Sequence, residues 1–420
     1  MTDILSELQW RGLVAQTTDE AALRAALNAG PVTYYVGFDP TASSLHVGHM
    51  VQLLNMRRLQ QAGHKPLALV GGATGLIGDP RPTTERSMNS PEVVAGWVES
   101  IRKQIEPFLS FTGPNAAVMV NNLDWTAPMS AIDLLRDIGR HFRMGTMLGK
   151  DIVARRLASD EGLSFTEFSY QILQGMDYRE LLRRHGCTLQ MGGNDQWGNL
   201  LSGVELIRKT EQKAVHALAT TLITKTDGSK MGKSEGGAVW LDPELTSPYA
   251  FYQYWLNTAD EDAVHYLRVF TFRSREEIEA LAVEVAERPF AREAQRALAY
   301  DITSLVHGTK ATDAVIFASQ ALFGRGELRE LDEATLRGAV GELPATTVCV
   351  GTSVVDALVG SGLVKSKGEA RRAIAEGGAY VNNLKVSTEE QVLAVDDLLH
   401  GRFAVLRRGK RTLAVANATA

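Results

Sequence analysis

The chain has 420 residues, enough for two or three domains with cores of their own, and 45% hydrophobic with 22% charged content describes an ordinary soluble globular protein. A net charge of −5 argues against a bulk electrostatic nucleic-acid binder, and no apolar run reaches the ~18 residues of a membrane span. The first residues carry Asp3, Glu7 and Trp10 where a signal peptide is basic and then apolar, and the two cysteines, Cys187 and Cys349, form no ligand spacing and no disulfide framework, so a cytoplasmic protein is expected.

Residues 1–30 alternate Leu, Ala and charge at helical spacing and stop at Asn28-Ala29-Gly30-Pro31. Strand-like runs follow at Thr33 to Phe38, Pro66 to Gly71, Ala116 to Asn121 and Cys187 to Met191. Helix-like segments at 46–62, 91–110, 129–140 and 165–185 lie between them. This alternation predicts an α/β fold, a Rossmann-like doubly wound parallel sheet with ligands at the carboxyl ends of its strands. From Ser247 to about Gly324 the pattern is wholly helical, and 325–351 mixes acidic, Gly and Pro positions like a linker with short helices. From Thr352 to the end there are 10 Lys and Arg against 7 Asp and Glu, a basic tail on an acidic protein and a hint of RNA contact.

The first strand breaks at Pro40, passes through Thr and Ser residues, and meets His46-Val47-Gly48-His49 at the start of an amphipathic helix. A helix start offers unpaired N–H groups and partial positive charge, which favours an anion; Gly48 would admit a nucleotide ring, and the imidazoles can donate to phosphate or ribose. The alternative is packing or a stray metal pair, but no carboxylate or Cys lies near enough in sequence to complete a metal set. The next strand ends in Gly71-Gly72-Ala73-Thr74-Gly75-Leu76-Ile77-Gly78-Asp79, neither a dinucleotide turn nor a P-loop, with Asp79 as its useful side chain. Tyr170, Gln174 and Asp177 are spaced by four and three, so they share one helix face. Buried unpaired they would cost roughly 1–3 kcal/mol each, so they form either an internal network or a pocket. In Gly192-Gly193-Asn194-Asp195-Gln196-Trp197-Gly198, Asp195 is a helix cap or a ligand residue. Lys230 and Lys233 sit in a Gly-bearing loop that, alone, would read as solvated surface.

Tyr35-Val36-Gly37-Phe38-Asp39-Pro40-Thr41 with His46-Val47-Gly48-His49 resembles the His-x-Gly-His signature of class I aminoacyl-tRNA synthetases in its tyrosyl form. Lys230-Met231-Gly232-Lys233-Ser234 is similar to the second, Lys-Met-Ser-Lys-Ser signature, with Gly at its third place. Ser353 to Ser387 resembles the alpha-L RNA-binding motif, with Lys365, Lys367, Arg371 and Arg372 facing phosphates if they are not merely a solvated basic helix. The resemblance covers essentially the whole chain. It implies a catalytic domain at 1–224, a signature loop and helical anticodon-side domain at 225–324, a linker at 325–351 and a small α+β alpha-L domain at 352–420.

The family's activity is then expected: tyrosine and ATP give tyrosyl adenylate and pyrophosphate, and tyrosine passes to the terminal adenosine of tRNA(Tyr). The resemblance implies that Tyr35 and Asp177 hold the phenol, that Tyr170, Gln174 and Asp79 hold the ammonium group, and that Gln196 lies near the carboxylate with Asp39 at the edge. It gives Thr41, His46, Arg86, Lys230 and Lys233 to the departing phosphates, and Gly37, Gly48, His49, Gly193 and Asp195 to the nucleoside. Lys150, Arg208 and Lys209 match acceptor-arm contacts. The loop after Asp79 is one residue shorter than the family pattern and lacks its lysine. Mg²⁺ would arrive with ATP, no protein-bound structural metal is expected, and a homodimer without membrane contact is implied. The rivals are a tryptophan-activating or other class I ligase, and a non-catalytic binder of structured RNA on the same scaffold.

Overall fold

The computed structural model describes residues 3–80, 88–226, 228, 231–234, 237–410 and 412–419, and nothing is described of the side chains at 151, 152, 233 and 234. Its contacts divide the chain into two compact units, Met1–Asp242 with Ala259–Ala294, and Pro243–Thr258 with Gln295–Ala420.

The first unit is built on a sheet with β1 Gln16–Thr17, β2 Thr33–Phe38, β3 Lys65–Val70, β4 Val118–Asn121, β5 Leu189–Gly193 and β6 His216–Thr220. The spatial order is β1-β6-β5-β2-β3-β4, parallel throughout except that β1 runs against β6. The chain builds outward from β2 through β3 to β4, then crosses back to β5 and β6. The order therefore reverses between β2 and β5, whose carboxyl ends flank the crevice where open α/β sheets take ligands. The doubly wound parallel sheet expected from the sequence is present.

Strand β2 shows why an unbroken apolar run marks a central strand: both of its faces are covered. Tyr34 points to one face, where its hydroxyl donates to the Met56 carbonyl on the Val47–Gln61 helix. Tyr35 points to the other, into a core shared with Leu173, Met176 and Tyr178 of the Phe165–His185 helix. The expected strand boundaries at 66–71, 116–121 and 187–191 shift by one to two residues, and helix 91–110 ends as a helix at Ile105. The segment expected as one helix at 129–140 is instead three short turns, with a π-helical stretch at Leu134–Ile138. Strand β6 had no expectation of its own.

The unit boundaries differ from the domain boundaries expected from sequence. Helices Asp260–Phe270 and Arg275–Glu287 belong to the first unit. Two buried guanidinium groups bind them there: Arg11 donates to the carbonyls of Arg268, Thr271 and Arg273, and Arg58 to those of Val269 and Thr271.

In the second unit, helices Thr309–Leu322 and Glu333–Val340 share an apolar core with Leu399, Val405, Leu413 and Val415. The five-stranded sheet among its described residues runs Leu384–Lys385, Ala379–Val381, Phe403–Arg408, Thr412–Ala418, Ala345–Val348. The stretch expected as a linker at 325–351 is therefore structural: Leu328, Leu331 and Leu336 are buried, and 345–348 is an edge strand paired in parallel with Val415–Ala418.

Candidate functional site

At the carboxyl end of β2 the two histidines cap their own helix. His46 has extended backbone, and its Nδ1 accepts from Gly48 N–H at 3.1 Å, while His49 Nδ1 accepts from His46 N–H at 3.1 Å. The rings stack with centroids 3.9 Å apart. With both Nδ1 atoms accepting, the neutral imidazoles carry their protons on Nε2 as donors. Burial, with His46 beside it, pulls the His49 pKa down to about 3, so it stays neutral at physiological pH. Gly48 has a local reason as well as the one expected: a Cβ there would lie 2.8 Å from His46 Cε1.

The second signature returns to this helix start. Gly232, at φ +87, lies so that a Cβ on it would meet Val47 Cγ2 at 2.9 Å and Gly48 N at 3.5 Å. Val47 N–H donates to Val239 O, Leu241 N–H to Leu45 O, and Trp240 bridges to His46 with ring centroids 6.0 Å apart. The two signatures, far apart in sequence, thus meet at the carboxyl end of β2. Arg86 and Lys230 lie outside the described residues, as does the side chain of Lys233, whose backbone begins a short strand paired with Ala238.

On the other face of the sheet a chain of buried polar groups links two carboxylates. Tyr170 Oη donates to Asp39 Oδ2 at 2.6 Å, and Thr74 Oγ1 to Asp39 Oδ1 at 2.6 Å. Asn122 Nδ2 donates to Thr74 Oγ1 at 2.9 Å and to Asp177 Oδ2 at 3.0 Å, and Trp125 Nε1 donates to Asp177 Oδ1 at 2.8 Å. Gly71 is glycine because Asp39 and Thr74 occupy the place of its Cβ, 2.1 and 2.3 Å away. Asp39 is the shared acceptor of Tyr170 and Thr74.

Among the described residues, side chains of this region are left without a hydrogen-bond partner. Tyr35 Oη and Gln174 Oε1 are buried and unbonded, which is costly unless a ligand completes them. Burial, then the nearby charge of Asp177, raises the Tyr35 pKa well above its ordinary value, so its hydroxyl keeps its proton. Burial also lifts Asp177 to about 7, against hydrogen bonds from Asn122 and Trp125 that favour the ionised form and with Asp39 adding repulsion.

Asp79 accepts from Asn199 Nδ2 at 3.0 Å and lines a cleft of about 350 Å³ with Lys150, Asp195 and Trp197. Gly37 and Gly193 stand at the ends of β2 and β5, Thr41 is exposed just past β2, and Gln196 sits at the start of the Trp197–Thr210 helix. No side chain caps that helix, so Asp195 is not the cap that its position allowed. Lys150 is turned inward: its Nζ donates to Gly198 O at 2.7 Å and Ser202 Oγ at 2.5 Å, and burial lowers its pKa to about 8 against the pull of Asp79. Arg208 pairs with Glu205 on the surface, and Lys209 donates to His141 O. In the second unit Lys365, Lys367, Arg371 and Arg372 are all exposed, Lys367 on Asp356 at 2.6 Å and Arg371 on Glu389 at 3.3 Å. Thr74, Asn122 and Trp125 had no sequence signal, being single polar or aromatic residues just past strands.

The chain is similar to known proteins along its whole length. The family described as tRNA synthetases class I (W and Y) matches residues 27–324, and the tyrosine–tRNA ligase SYY-like C-terminal domain matches 336–416. The tyrosine–tRNA ligase of Streptomyces coelicolor is 66% identical over 420 residues, covering 100% of both chains, and that of Kineococcus radiotolerans 61% over 415, covering 99% of this chain and 98% of its own. Among solved structures, a C-terminally truncated mitochondrial tyrosyl-tRNA synthetase of Aspergillus nidulans aligns with a TM-score of 0.69 and 30% identity, over 77% of this chain and 95% of its own.

Proposed function

The chain belongs to the tyrosine–tRNA ligase family of class I tRNA synthetases, and from that premise we propose how its own residues carry the two steps of ligation. It activates tyrosine with ATP, then passes the tyrosyl group to tRNA. The tryptophan-activating and non-catalytic alternatives are not favoured at this level of identity.

Tyrosine enters with its phenol toward Tyr35 Oη and the Asp177 carboxylate, and its ammonium group toward Tyr170, Gln174, Asp79 and Asp39. The observation that carries this reading is the buried, unbonded Tyr35 hydroxyl beside a carboxylate, a floor that a phenol completes and a phenyl ring leaves unpaired. Tyrosyl-tRNA synthetases as a group discriminate tyrosine from phenylalanine by about 10⁵-fold in this way. A tyrosine carboxylate oxygen attacks the α-phosphorus and pyrophosphate leaves with the electron pair. A ribose hydroxyl of the terminal adenosine then attacks the carbonyl carbon, the bond to phosphate breaks, and AMP leaves with the proton.

Catalysis comes from positioning and from charge placed where it develops. The Nε2–H donors of His46 and His49 serve the phosphates and nucleoside, together with Thr41, Gly37, Gly48, Gly193 and Asp195. Gln196 orients the reacting carboxylate, and Arg86, Lys230 and Lys233 are assigned to pyrophosphate by their signature positions. We place Mg²⁺ on the ATP phosphates; among the described residues no three His, Cys, Asp or Glu side chains are grouped to hold a metal.

tRNA(Tyr) is assigned to Lys150, Arg208 and Lys209 for its acceptor arm and to Lys365, Lys367, Arg371 and Arg372 for the tail. A homodimer is supported by exposed apolar side chains between 132 and 165, with Ile132 67% and Phe165 76% exposed. No helix among the described residues is long and apolar enough to cross a membrane, and a cytoplasmic setting follows from translation as the activity. ATP–pyrophosphate exchange across the twenty amino acids tests the reading: exchange with tyrosine alone is expected, and exchange with tryptophan or with none refutes it.

A further inference from the structure

The stretch that carries the second signature is held at its exit by backbone: Val47 N–H donates to Val239 O and Leu241 N–H to Leu45 O, with Asp242 N–H on Ser44 Oγ at 3.2 Å. Its entry is held by a side chain. Thr226 lies four and seven positions before Lys230 and Lys233, in a turn closed by Gly228 N–H on Lys225 O. Its N–H donates to Asp262 Oδ1 at 2.9 Å, and its hydroxyl donates to the same oxygen at 2.6 Å.

Asp262 stands in the first turn of the Asp260–Phe270 helix, where an acid ordinarily serves the helix's own N–H groups and dipole. Asp260 and Glu261 already place negative charge in that turn, and Glu261 is exposed. Asp262 is instead 7% exposed, and a carboxylate so placed is costly unless hydrogen bonds replace its water. A threonine 36 positions earlier supplies two of them.

The other end of the same helix is also tied. Arg58 is buried, and its Nη2 donates to Val269 O at 2.7 Å and Thr271 O at 2.8 Å. Arg58 lies on the Val47–Gln61 helix, whose start carries His46 and His49. One helix thus reaches from the first signature's helix to the second signature's entry. In between, Met231 is buried and Gly232 stands against Val47 and Gly48.

We propose that the Asp260–Phe270 helix is a strut between the two signatures, and that Asp262 is a positioning residue for adenylate formation, holding Thr226 so that Met231 and Gly232 seat on the start of the Val47–Gln61 helix. The proposal rests on the ligase reading, which assigns Lys230 and Lys233 to the departing pyrophosphate. Asp262 acts through Thr226, so its effect falls on the step in which pyrophosphate leaves.

Single-turnover adenylate formation, tyrosine binding by equilibrium dialysis, and transfer to tRNA from preformed adenylate are measured on the full chain. In Thr226→Val, an exposed site that tolerates substitution, adenylate formation falls roughly three- to twentyfold, the worth of one hydrogen bond. In Asp262→Ala, which removes both bonds, it falls roughly ten- to a hundredfold, and adding Thr226→Val slows it no further. Asp262→Asn keeps an acceptor oxygen and recovers the rate to within about threefold. Tyrosine affinity and transfer stay within about twofold throughout. Unchanged adenylate formation in both Thr226→Val and Asp262→Ala overturns the proposal, and so does an equal loss of tyrosine affinity or of transfer, which is what a merely loosened fold would give. Absence of tyrosine-dependent pyrophosphate exchange in the unsubstituted protein would instead overturn the ligase reading.

Discussion

Trp125→Phe removes one donor from Asp177 and leaves most of the ring in place. Trp125 is 5% exposed, its Nε1 donates to Asp177 Oδ1 at 2.8 Å, and its face carries the Arg184 guanidinium at 5.3 Å. A hydrogen bond to a charged group is worth roughly 1.5–3 kcal/mol, and about 1.36 kcal/mol moves a pKa by one unit. Its loss destabilises the ionised form, so Asp177 rises from about 7 by roughly one to two units. At about pH 7.5 the ionised fraction falls from about three quarters to between a quarter and a thirtieth. If the carboxylate accepts the phenol proton, the tyrosine KM rises by the same factor, roughly three- to twentyfold, and much of the loss is recovered at about pH 9. KM measured by pyrophosphate exchange from about pH 6 to 9 in both proteins decides it. Identical midpoints, or a loss that alkali does not restore, would refute the reasoning, because lost packing alone does not move a titration. For stability the sign is opposite: the folded carboxyl holds its proton more tightly than the unfolded chain, so this group favours the folded state below about pH 4 and ceases to do so as pH rises through about 7.

Tyr35→Phe raises the tyrosine KM about three- to tenfold while leaving phenylalanine little changed, so the ratio of kcat/KM values narrows; an unaltered ratio would take Tyr35 out of the phenol site. Gly48→Ala places a Cβ 2.8 Å from His46 Cε1, and adenylate formation should fall at least tenfold with tyrosine binding intact, as equilibrium dialysis against stopped-flow rates would show. Replacing Lys365, Lys367, Arg371 and Arg372 together by Ala should weaken tRNA charging and flatten its salt dependence, by a slope of about 0.7 per lost phosphate contact, while exchange is unaffected. Charging with an unchanged salt slope would assign that surface to solvent.

What was legible in the chain was what a single segment determines. The Phe165–His185 helix and strand β2 have the boundaries read from their apolar pattern and stop signals, and Tyr170, Gln174 and Asp177 share a helix face because the spacing leaves no other choice. Strand β6, His-Ala-Leu-Ala-Thr, went unseen because alanine and histidine carry little strand preference; it is a strand because β5 pairs with it. The 325–351 segment read as a linker because its leucines are spread among Gly, Pro and acidic positions, and only the partners that bury them, such as Leu399 and Val405, show it to be core. For the same reason a chain cut near Gly351 would not cleanly remove one domain, since Ala345–Val348 would lose its sheet. Asp39 as the acceptor for Tyr170 is a pairing across 131 positions, which no local spacing reveals.

On the proposed assignments, the two sides of β2 divide the enzyme's work. Below β2, the floor is side-chain chemistry: Asn122 and Trp125 donate to the buried Asp177, and Tyr35 lies buried in the same core with its hydroxyl unbonded. Above it, the anion end is backbone chemistry: a helix start whose first turn is capped by its own histidines and fastened by Val47 N–H to Val239 O and Leu241 N–H to Leu45 O. A side-chain floor changes selectivity when one atom is removed, because the substrate's hydroxyl loses a partner in the ground state and the transition state alike. A backbone-built anion site is disturbed only by displacing the chain, and its effect falls where charge develops, on the rate of adenylate formation. Substitutions at Tyr35, Trp125 and Asp177 should therefore move KM and the choice of amino acid, and those at Gly48 or the Val239–Leu241 strand should move kcat. A pair drawn one from each side, such as Trp125→Phe with Gly48→Ala, should combine additively in free energy, and a double-mutant cycle measures any departure from that.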